Sequence, residues 1–302
     1  MKLQNTLILT FISLLLLNIN VYADELSDKN AACNTALNKG DIAGASGLAD
    51  AVLKRDANNR EGLICKGRLL GAQGKYDEAL SALKQAETAS KEAFDHIIVN
   101  MLIGNAYKAQ QKYTDAIASY EKSLGIAKAD KNDKFMRTSY NLIGEVFAKT
   151  HNYNAALTSY SEGSKLAMND NERAENFEWL AATYSALGQH DTAIEYQLKG
   201  LQMEKKSGTL DGIANAYLAL GGIYMKAKEY AKAEKNYTKL LEFSKENGGA
   251  YFEAQADFYM AQAKAANGDT EGANALIIQA KKIAKEIGAT DLMADFESAS
   301  KS

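Results

Sequence analysis

Apolar and polar positions along this chain recur with the period of an amphipathic helix. In residues 221–237, "GGIYMKAKEYAKAEKNY", a small residue is followed by an aromatic three places later. A short polar turn comes next, and then an aromatic, an alanine and another aromatic. Apolar residues three and four places apart, such as Ile194, Leu198 and Leu201, form one stripe on a helix. The pattern predicts two antiparallel helices joined by a tight turn.

The same register recurs six more times, at intervals of 34 to 40 residues. Its small-residue position falls at Cys33, Gly67, Gly104, Gly144, Ala181, Gly221 and Ala261. Small side chains in both helices of a pair let the helices approach closely, while aromatic rings fill the ends of the contact. Each hairpin leaves an apolar face that only a neighbouring copy can cover. We therefore predict an all-α array of about seven antiparallel helix-turn-helix repeats.

This register resembles that of the tetratricopeptide repeat. The resemblance implies a right-handed superhelical solenoid whose groove is lined by the first helix of each hairpin. The chain differs from the usual pattern in having no proline, and most of its units are longer than 34 residues. Long units of this kind resemble those of bacterial regulators and kinesin light chains. Without proline, we expect the helices to end on Asn and Gly, as in "ENGG" at 246–249.

Residues 1–23 have the pattern of a signal peptide. Lys2 gives a positive start, an apolar run extends from Leu7 to Leu17, and Val21-Tyr22-Ala23 resembles a cleavage site. The alternative is an uncleaved anchor helix, but the run is shorter than the ~20 apolar residues needed to span a bilayer. We expect cleavage after Ala23 and a periplasmic or secreted protein with no integral membrane segment. The solenoid would then occupy 24–289, with a C-terminal capping helix and tail at 290–302.

The composition indicates a folded protein that binds neither nucleic acid nor an anionic membrane surface. Of its 302 residues, 46% are hydrophobic and 24% are charged, which is enough for a buried core. The formal net charge is −3, without the basic excess that phosphate groups attract. The absence of proline and the abundance of Ala, Leu, Lys and Glu favour helix throughout.

The sequence offers no catalytic or metal-binding motif. Its three histidines, His96, His151 and His190, fall in three different units and lack metal-ligand spacing. No nucleophile elbow, phosphate-binding loop or dinucleotide fingerprint is present. We expect a protein that is not an enzyme and that uses no cofactor or metal.

Cys33 and Cys65 are candidates for a disulfide. The resemblance places the first helices of adjacent units side by side, and an exported compartment would allow the two thiols to pair. The alternative is a pair of buried small apolar side chains, which is how free cysteines often behave. A zinc site is disfavoured because no histidine lies near to complete tetrahedral coordination.

The resemblance also indicates which side chains face the groove. They lie six and three residues before the small residue, and one, four and five after it. Mapped onto this chain, they include Asn105, Lys108, Asn141, Glu145, Lys149, Glu175, Glu178, Asn215, Met225, Lys226, Phe258 and Gln262. The asparagines could donate and accept hydrogen bonds with a peptide backbone, and the lysines could bind a carboxylate. Met225 and Phe258 would be apolar anchors. The alternative is a merely solvated face of mixed residues.

The resemblance does not extend to one binding device of the family. Some members hold a partner's C-terminal carboxylate with a basic clamp, whose polar positions are occupied here by Met101, Leu102, Thr138 and Leu142. We expect a scaffold or adaptor that binds a protein or a peptide, and the sequence does not identify that partner. The alternatives are a regulatory protein whose solenoid changes pitch on binding a peptide, and an enzyme subunit.

Overall fold

The computed structural model describes residues 26–299, and all regular secondary structure in that range is helical. The signal-peptide prediction for residues 1–23 lies outside the described residues. The helices are α1 (26–38), α2 (Ile42–Arg55), α3 (Arg60–Ala72), α4 (Tyr76–Ala89), α5 (Ala93–Ala109), α6 (Tyr113–Ala129), α7 (Asp133–Lys149), α8 (Tyr153–Ser164), α9 (Asp170–Ala186), α10 (His190–Ser207), α11 (Leu210–Lys226), α12 (Tyr230–Glu246), α13 (Ala250–Ala266), α14 (Thr270–Glu286) and α15 (Thr290–Ala299). The first fourteen form successive helix-turn-helix pairs, which confirms the predicted fold class.

The seven hairpin turns share one geometry. The second residue after each first helix has positive φ, and it is Gly40, Gly74, Gly188 or Gly268 in four turns. In the other three turns Gln111, His151 and Lys228 take the same conformation, with φ between 59° and 60°. The next N–H then bonds back five residues, as from Lys75 to the carbonyl of Leu70 at 2.9 Å. This C-terminal motif ends the helices without proline.

In several hairpins a large side chain of the second helix packs directly against a glycine of the first helix. A Cβ on Gly104 would overlap the ring of Tyr120, and one on Gly221 would overlap the ring of Tyr237. Both tyrosines are almost completely buried. In the second hairpin Leu83 takes this place, with its Cγ 2.6 Å from where a Cβ on Gly67 would be. The small position of the repeat is therefore a packing position.

The helices form two compact units, one ending at Val146 and the other beginning at Phe147. In unit 1 the largest core cluster joins α3, α4 and α5 through Leu63, Leu83 and Val99. In unit 2 the corresponding cluster joins α10 to α13 and includes Leu220 and Leu240. Stacking of consecutive hairpins thus buries the face that each hairpin alone leaves open.

A disulfide joins α1 to α3 in unit 1. Cys33 and Cys65 are bonded, and their Cα atoms are 6.3 Å apart. The two cysteines are 32 residues apart in the sequence. Because the bond restricts the unfolded chain, it stabilises the folded state by about 3–4 kcal/mol on the chain-entropy model. A hydrogen bond of 3.1 Å, from Asn30 Nδ2 to Asn59 Oδ1, also links α1 to the start of α3. The first hairpin is rich in alanine, so this covalent link adds to a small apolar contact.

The last helix, α15, covers the end of unit 2. Its Leu292 and Phe296 are each 1% exposed and join a cluster with α13 and α14. The ring of Phe296 stacks on Phe258 with centroids 4.1 Å apart. Asp291 and Glu297 are exposed on the outer side. Over residues 26–299, none of the helices has the length and apolar character needed to cross a membrane.

We expect Gly221→Ala to lower the free energy of unfolding by about 1–3 kcal/mol, because its methyl group must displace the buried ring of Tyr237. The matched control is Gly222→Ala, since a methyl group added to this neighbouring glycine would meet no described atom within 4 Å. That variant should be neutral or more stable by up to about 1 kcal/mol, as alanine favours helix over glycine. Urea unfolding of both variants measures the difference, and equal effects would contradict the packing role of Gly221.

Candidate functional site

The side chains one place after the small residue of each first helix share one register. In unit 1 they are Asn34 on α1, Arg68 on α3, Asn105 on α5 and Glu145 on α7. We call the surface that they mark the first-helix face of unit 1. Asn105 and Glu145 are exposed, and Asn34 and Arg68 are half-buried. This face therefore presents polar side chains that are not part of the hydrophobic core.

Two of the predicted groove residues in unit 1 bind each other. Lys108 Nζ donates to Glu145 Oε2 at 2.7 Å, so their opposite charges are already paired. Asn105 Oδ1 accepts a hydrogen bond of 2.7 Å from the hydroxyl of Tyr120. Burial raises the pKa of Tyr120 far above its usual value, and the charge of Glu145 adds to that effect. Tyr120 therefore stays protonated and holds the Asn105 amide in place.

Arg68 differs from the other basic residues of this face because it is held by neutral groups. Its guanidinium donates to Asn34 Oδ1 at 2.5 Å and to Asn38 Oδ1 at 3.0 Å. Among residues 26–299, no carboxylate is paired with it. The nearby Arg60, in contrast, forms ion pairs with Glu61 and with Asp95. Arg68 is thus a cation in a fixed position that has no ion-pair partner among the described residues.

Two cavities open on this face, and Arg68 lines both of them. The larger, of about 400 Å³, lies between α1, α3 and α5 and is also lined by the apolar Phe94, Ile98 and Leu102. The ion-paired Arg60, Glu61 and Asp95 line it as well. The smaller, of about 260 Å³, is bordered by Leu102, Asn105 and the glycines of α3. Phe94 is 53% exposed, and its ring meets that of Phe135 edge to face at 5.5 Å. The face therefore combines apolar side chains with a cation, Arg68, that has no ion-pair partner among the described residues.

Sequence reasoning missed both Arg68 and Phe94. Arg68 follows Gly67 directly, so the register that selected Asn105 and Glu145 also selects Arg68. That signal was present in the sequence. Phe94 lies ten residues before Gly104, outside the positions that the family resemblance assigns to the groove, so no register position indicated it.

In unit 2 the predicted groove residues are mixed in exposure. Glu175, Asn215 and Lys226 are exposed, as is Lys149 at the start of this unit, whereas Glu178, Met225 and Gln262 are half-buried. Met225 packs beside the buried cluster of Tyr237 and Met260.

The Glu178 carboxyl group lies in an unfavourable environment for negative charge. Burial raises its pKa from 4.5 to about 7, and the charges of Glu204 and Glu175 contribute to that rise. Its Cγ lies 3.4 Å from where a Cβ on Gly200 would be, so it packs against α10. Near neutral pH these three glutamates together therefore carry less negative charge than three ionised carboxylates would.

Two predicted groove residues are corrected by the structure. Phe258 is 3% exposed and lies beneath α15 against Phe296, so it is a core residue and offers no apolar anchor. Asn141 is 5% exposed on α7 and is too buried to meet a peptide backbone. The register placed both correctly on a first helix, but neighbouring elements cover them.

The fold defines an all-α protein of stacked helical hairpins, and comparison with known proteins gives its family. The tetratricopeptide repeat model matches residues 95–169 and again residues 172–246. The chain is 29% identical over 180 residues to outer dynein arm-docking complex subunit 4 of Bos taurus, over 58% of this chain and 26% of that protein. It is 24% identical over 234 residues to protein kinesin light chain-related 3 of Arabidopsis thaliana, over 73% and 35% of the two chains. The chain is a tetratricopeptide repeat protein.

A solved structure extends the likeness in fold. The apo form of RapI matches with a TM-score of 0.69 over 90% of this chain and 79% of that one, at 14% sequence identity. At that identity the likeness shows the fold alone. The two curated relatives are much longer proteins, since this chain spans only about a quarter to a third of their length.

Replacing Glu178 by Gln should stabilise the protein in a pH-dependent way. The folded state holds the Glu178 proton more tightly than the unfolded chain does, so wild-type stability falls as pH rises from about 4.5 through about 7. Glu178→Gln removes this loss, and we expect a gain of about 1–3 kcal/mol at pH 8 that disappears below pH 4.5. Urea unfolding at pH 4.5, 6 and 8 measures it.

The control for Glu178→Gln is Glu195→Gln, which changes an exposed carboxyl group on α10. We expect its effect on the free energy of unfolding to stay within about 0.5 kcal/mol at every pH. A gain for Glu178→Gln that is the same at pH 4.5 and pH 8 would show that burial of charge is not its cause.

Proposed function

We propose that this protein is a non-catalytic adaptor that binds an extended segment of a protein partner on the first-helix face of unit 1. The observation that carries the proposal is the pair of adjoining hollows between α1, α3 and α5, with Phe94 exposed beside them. Exposed aromatic rings beside apolar cavities are common at binding hot spots. The relatives named as a docking-complex subunit and as kinesin light chain-related proteins support a role in assembly.

Binding on this face requires little rearrangement. The helices that carry it are packed into the core of unit 1, and the disulfide fixes α1 to α3. Tyr120 fixes Asn105, and Lys108 and Glu145 fix each other. Side chains that are already ordered lose less entropy when a partner binds. The site is therefore suited to recognising a flexible segment, which alone must become ordered.

A phage-displayed library of random 12-residue peptides tests this proposal. We expect selection on the purified protein to enrich peptides that bind Phe94→Ala at least tenfold more weakly than wild type, because a buried aromatic contact is lost. The control is Ile278→Ala, which removes a 70% exposed apolar side chain from α14 in unit 2 and should change affinity less than twofold. Failure to enrich any peptide, or equal losses in both variants, would refute the proposed site.

We also propose that the protein works in the periplasm or outside the cell. The signal-like pattern of residues 1–23 and the Cys33–Cys65 disulfide support this, since disulfides persist in oxidising compartments. The full-length chain, expressed in a Gram-negative bacterium, should be recovered from the periplasm with a mass that indicates cleavage after Ala23. Titration without reductant should find no free thiol. A cytoplasmic protein that retains residues 1–23 would contradict this localisation.

A further inference from the structure

The unpaired charge of Arg68 indicates what kind of segment the first-helix face accepts. A guanidinium that donates to two amide oxygens keeps its full positive charge, because neutral acceptors orient a cation without compensating it. Its remaining N–H groups and its planar shape suit a carboxylate. Arg60, which also lines the larger cavity, already has two carboxylate partners, Glu61 and Asp95, and so is not available in the same way.

We propose that Arg68 binds the carboxylate of an aspartate or glutamate side chain within the partner segment, with apolar residues of the same segment in the hollows on either side. This inference rests on the proposed function and specifies the chemistry of its ligand. The contacts make Arg68 a binding residue, positioned by Asn34 and Asn38.

The arrangement of the cavities favours an internal side chain over a chain end. Arg68 and Leu102 line both hollows, so the cation lies where the two hollows adjoin, with apolar side chains in the walls of each. A segment that passes across Arg68 can fill both compartments, whereas a segment that ends at Arg68 fills one. In an extended peptide, residues two places apart point to the same side. The expected pattern is therefore an acidic residue with apolar residues two places before and two places after it.

The apolar side chains around the cation strengthen this preference. Ile98 and Leu102 are half-buried, and Ile64 is 6% exposed in the wall of the larger cavity. A segment that fills these hollows excludes water from Arg68, and an ion pair gains strength as water is excluded. For the same reason, a segment with a lysine at the central position would place two cations together and be rejected.

The peptides selected on wild-type protein provide the test, synthesised with acetylated N-termini and amidated C-termini. We expect them to share the apolar–x–acidic–x–apolar pattern and to bind Arg68→Gln at least tenfold more weakly than wild type. Arg68→Lys should retain part of the affinity, because it keeps the charge but not the planar fork. The control, Lys54→Gln, removes an exposed cation of α2 that lines neither cavity and should change affinity less than threefold.

The peptide side of the pair gives a measurement that does not depend on folding of a variant. Changing the acidic residue of a selected peptide to its amide should weaken binding to wild type by the same factor as Arg68→Gln does. It should cause no further loss on Arg68→Gln protein, as expected when both changes remove one interaction. Thermal unfolding of each protein variant confirms that it is folded before affinities are compared.

Each other outcome overturns the inference in a recognisable way. If selected peptides depend on Phe94 but not on Arg68, or lack an acidic residue, the carboxylate assignment is wrong while the proposed binding face stands. If only peptides with a free C-terminus bind, the carboxylate belongs to a chain end and the internal-segment assignment is wrong. If no peptide is enriched, both the inference and the proposed function fail.

Discussion

The close approach of two helices in each hairpin is the constraint on which the rest of the structure depends. At Gly104 and Gly221 the ring of a tyrosine from the second helix occupies the space that a Cβ would need. This contact fixes the rotation of the first helix about its own axis. The residue directly after the glycine is then directed to a different face, where packing does not use it. Asn105, for example, is exposed although Gly104 is buried.

The hairpin array could be predicted from the sequence because it depends on local periodicity. The small residue, the turn and the aromatic all lie within 17 residues, so their spacing is visible in one unit and is repeated in the others. The turn chemistry was less visible. Gln111, His151 and Lys228 take the left-handed conformation that glycine prefers, at a cost of about 1 kcal/mol each. Hydrogen bonds that close the preceding helix compensate for that cost.

The candidate site could be predicted only in part, because register places a residue on a helix without showing what covers it. Phe258 has a groove position in the register, yet α15 lies over it.

Asp257, beside it on α13, occupies the register position that Tyr217 fills on α11 and is fully buried. In the described part of the chain its carboxylate oxygens have no hydrogen-bond partner. Burial, opposed by Lys245, raises its pKa to about 6. Hydrophobic periodicity does not predict such a residue, since it departs from the pattern.

Arg68 is held in place by rigid surroundings, not by an ion pair. Cys33 directly precedes Asn34, and Cys65 lies one helical turn before Arg68, so the disulfide joins the two helices at the level of the amide–guanidinium contacts. A long side chain gives up rotamer entropy when it is fixed, up to about 2 kcal/mol for arginine. Here the two asparagines fix Arg68 during folding, so that entropy is not lost again when a ligand binds. An oxidising compartment, which preserves the disulfide, would therefore also preserve the geometry with which this face receives a carboxylate.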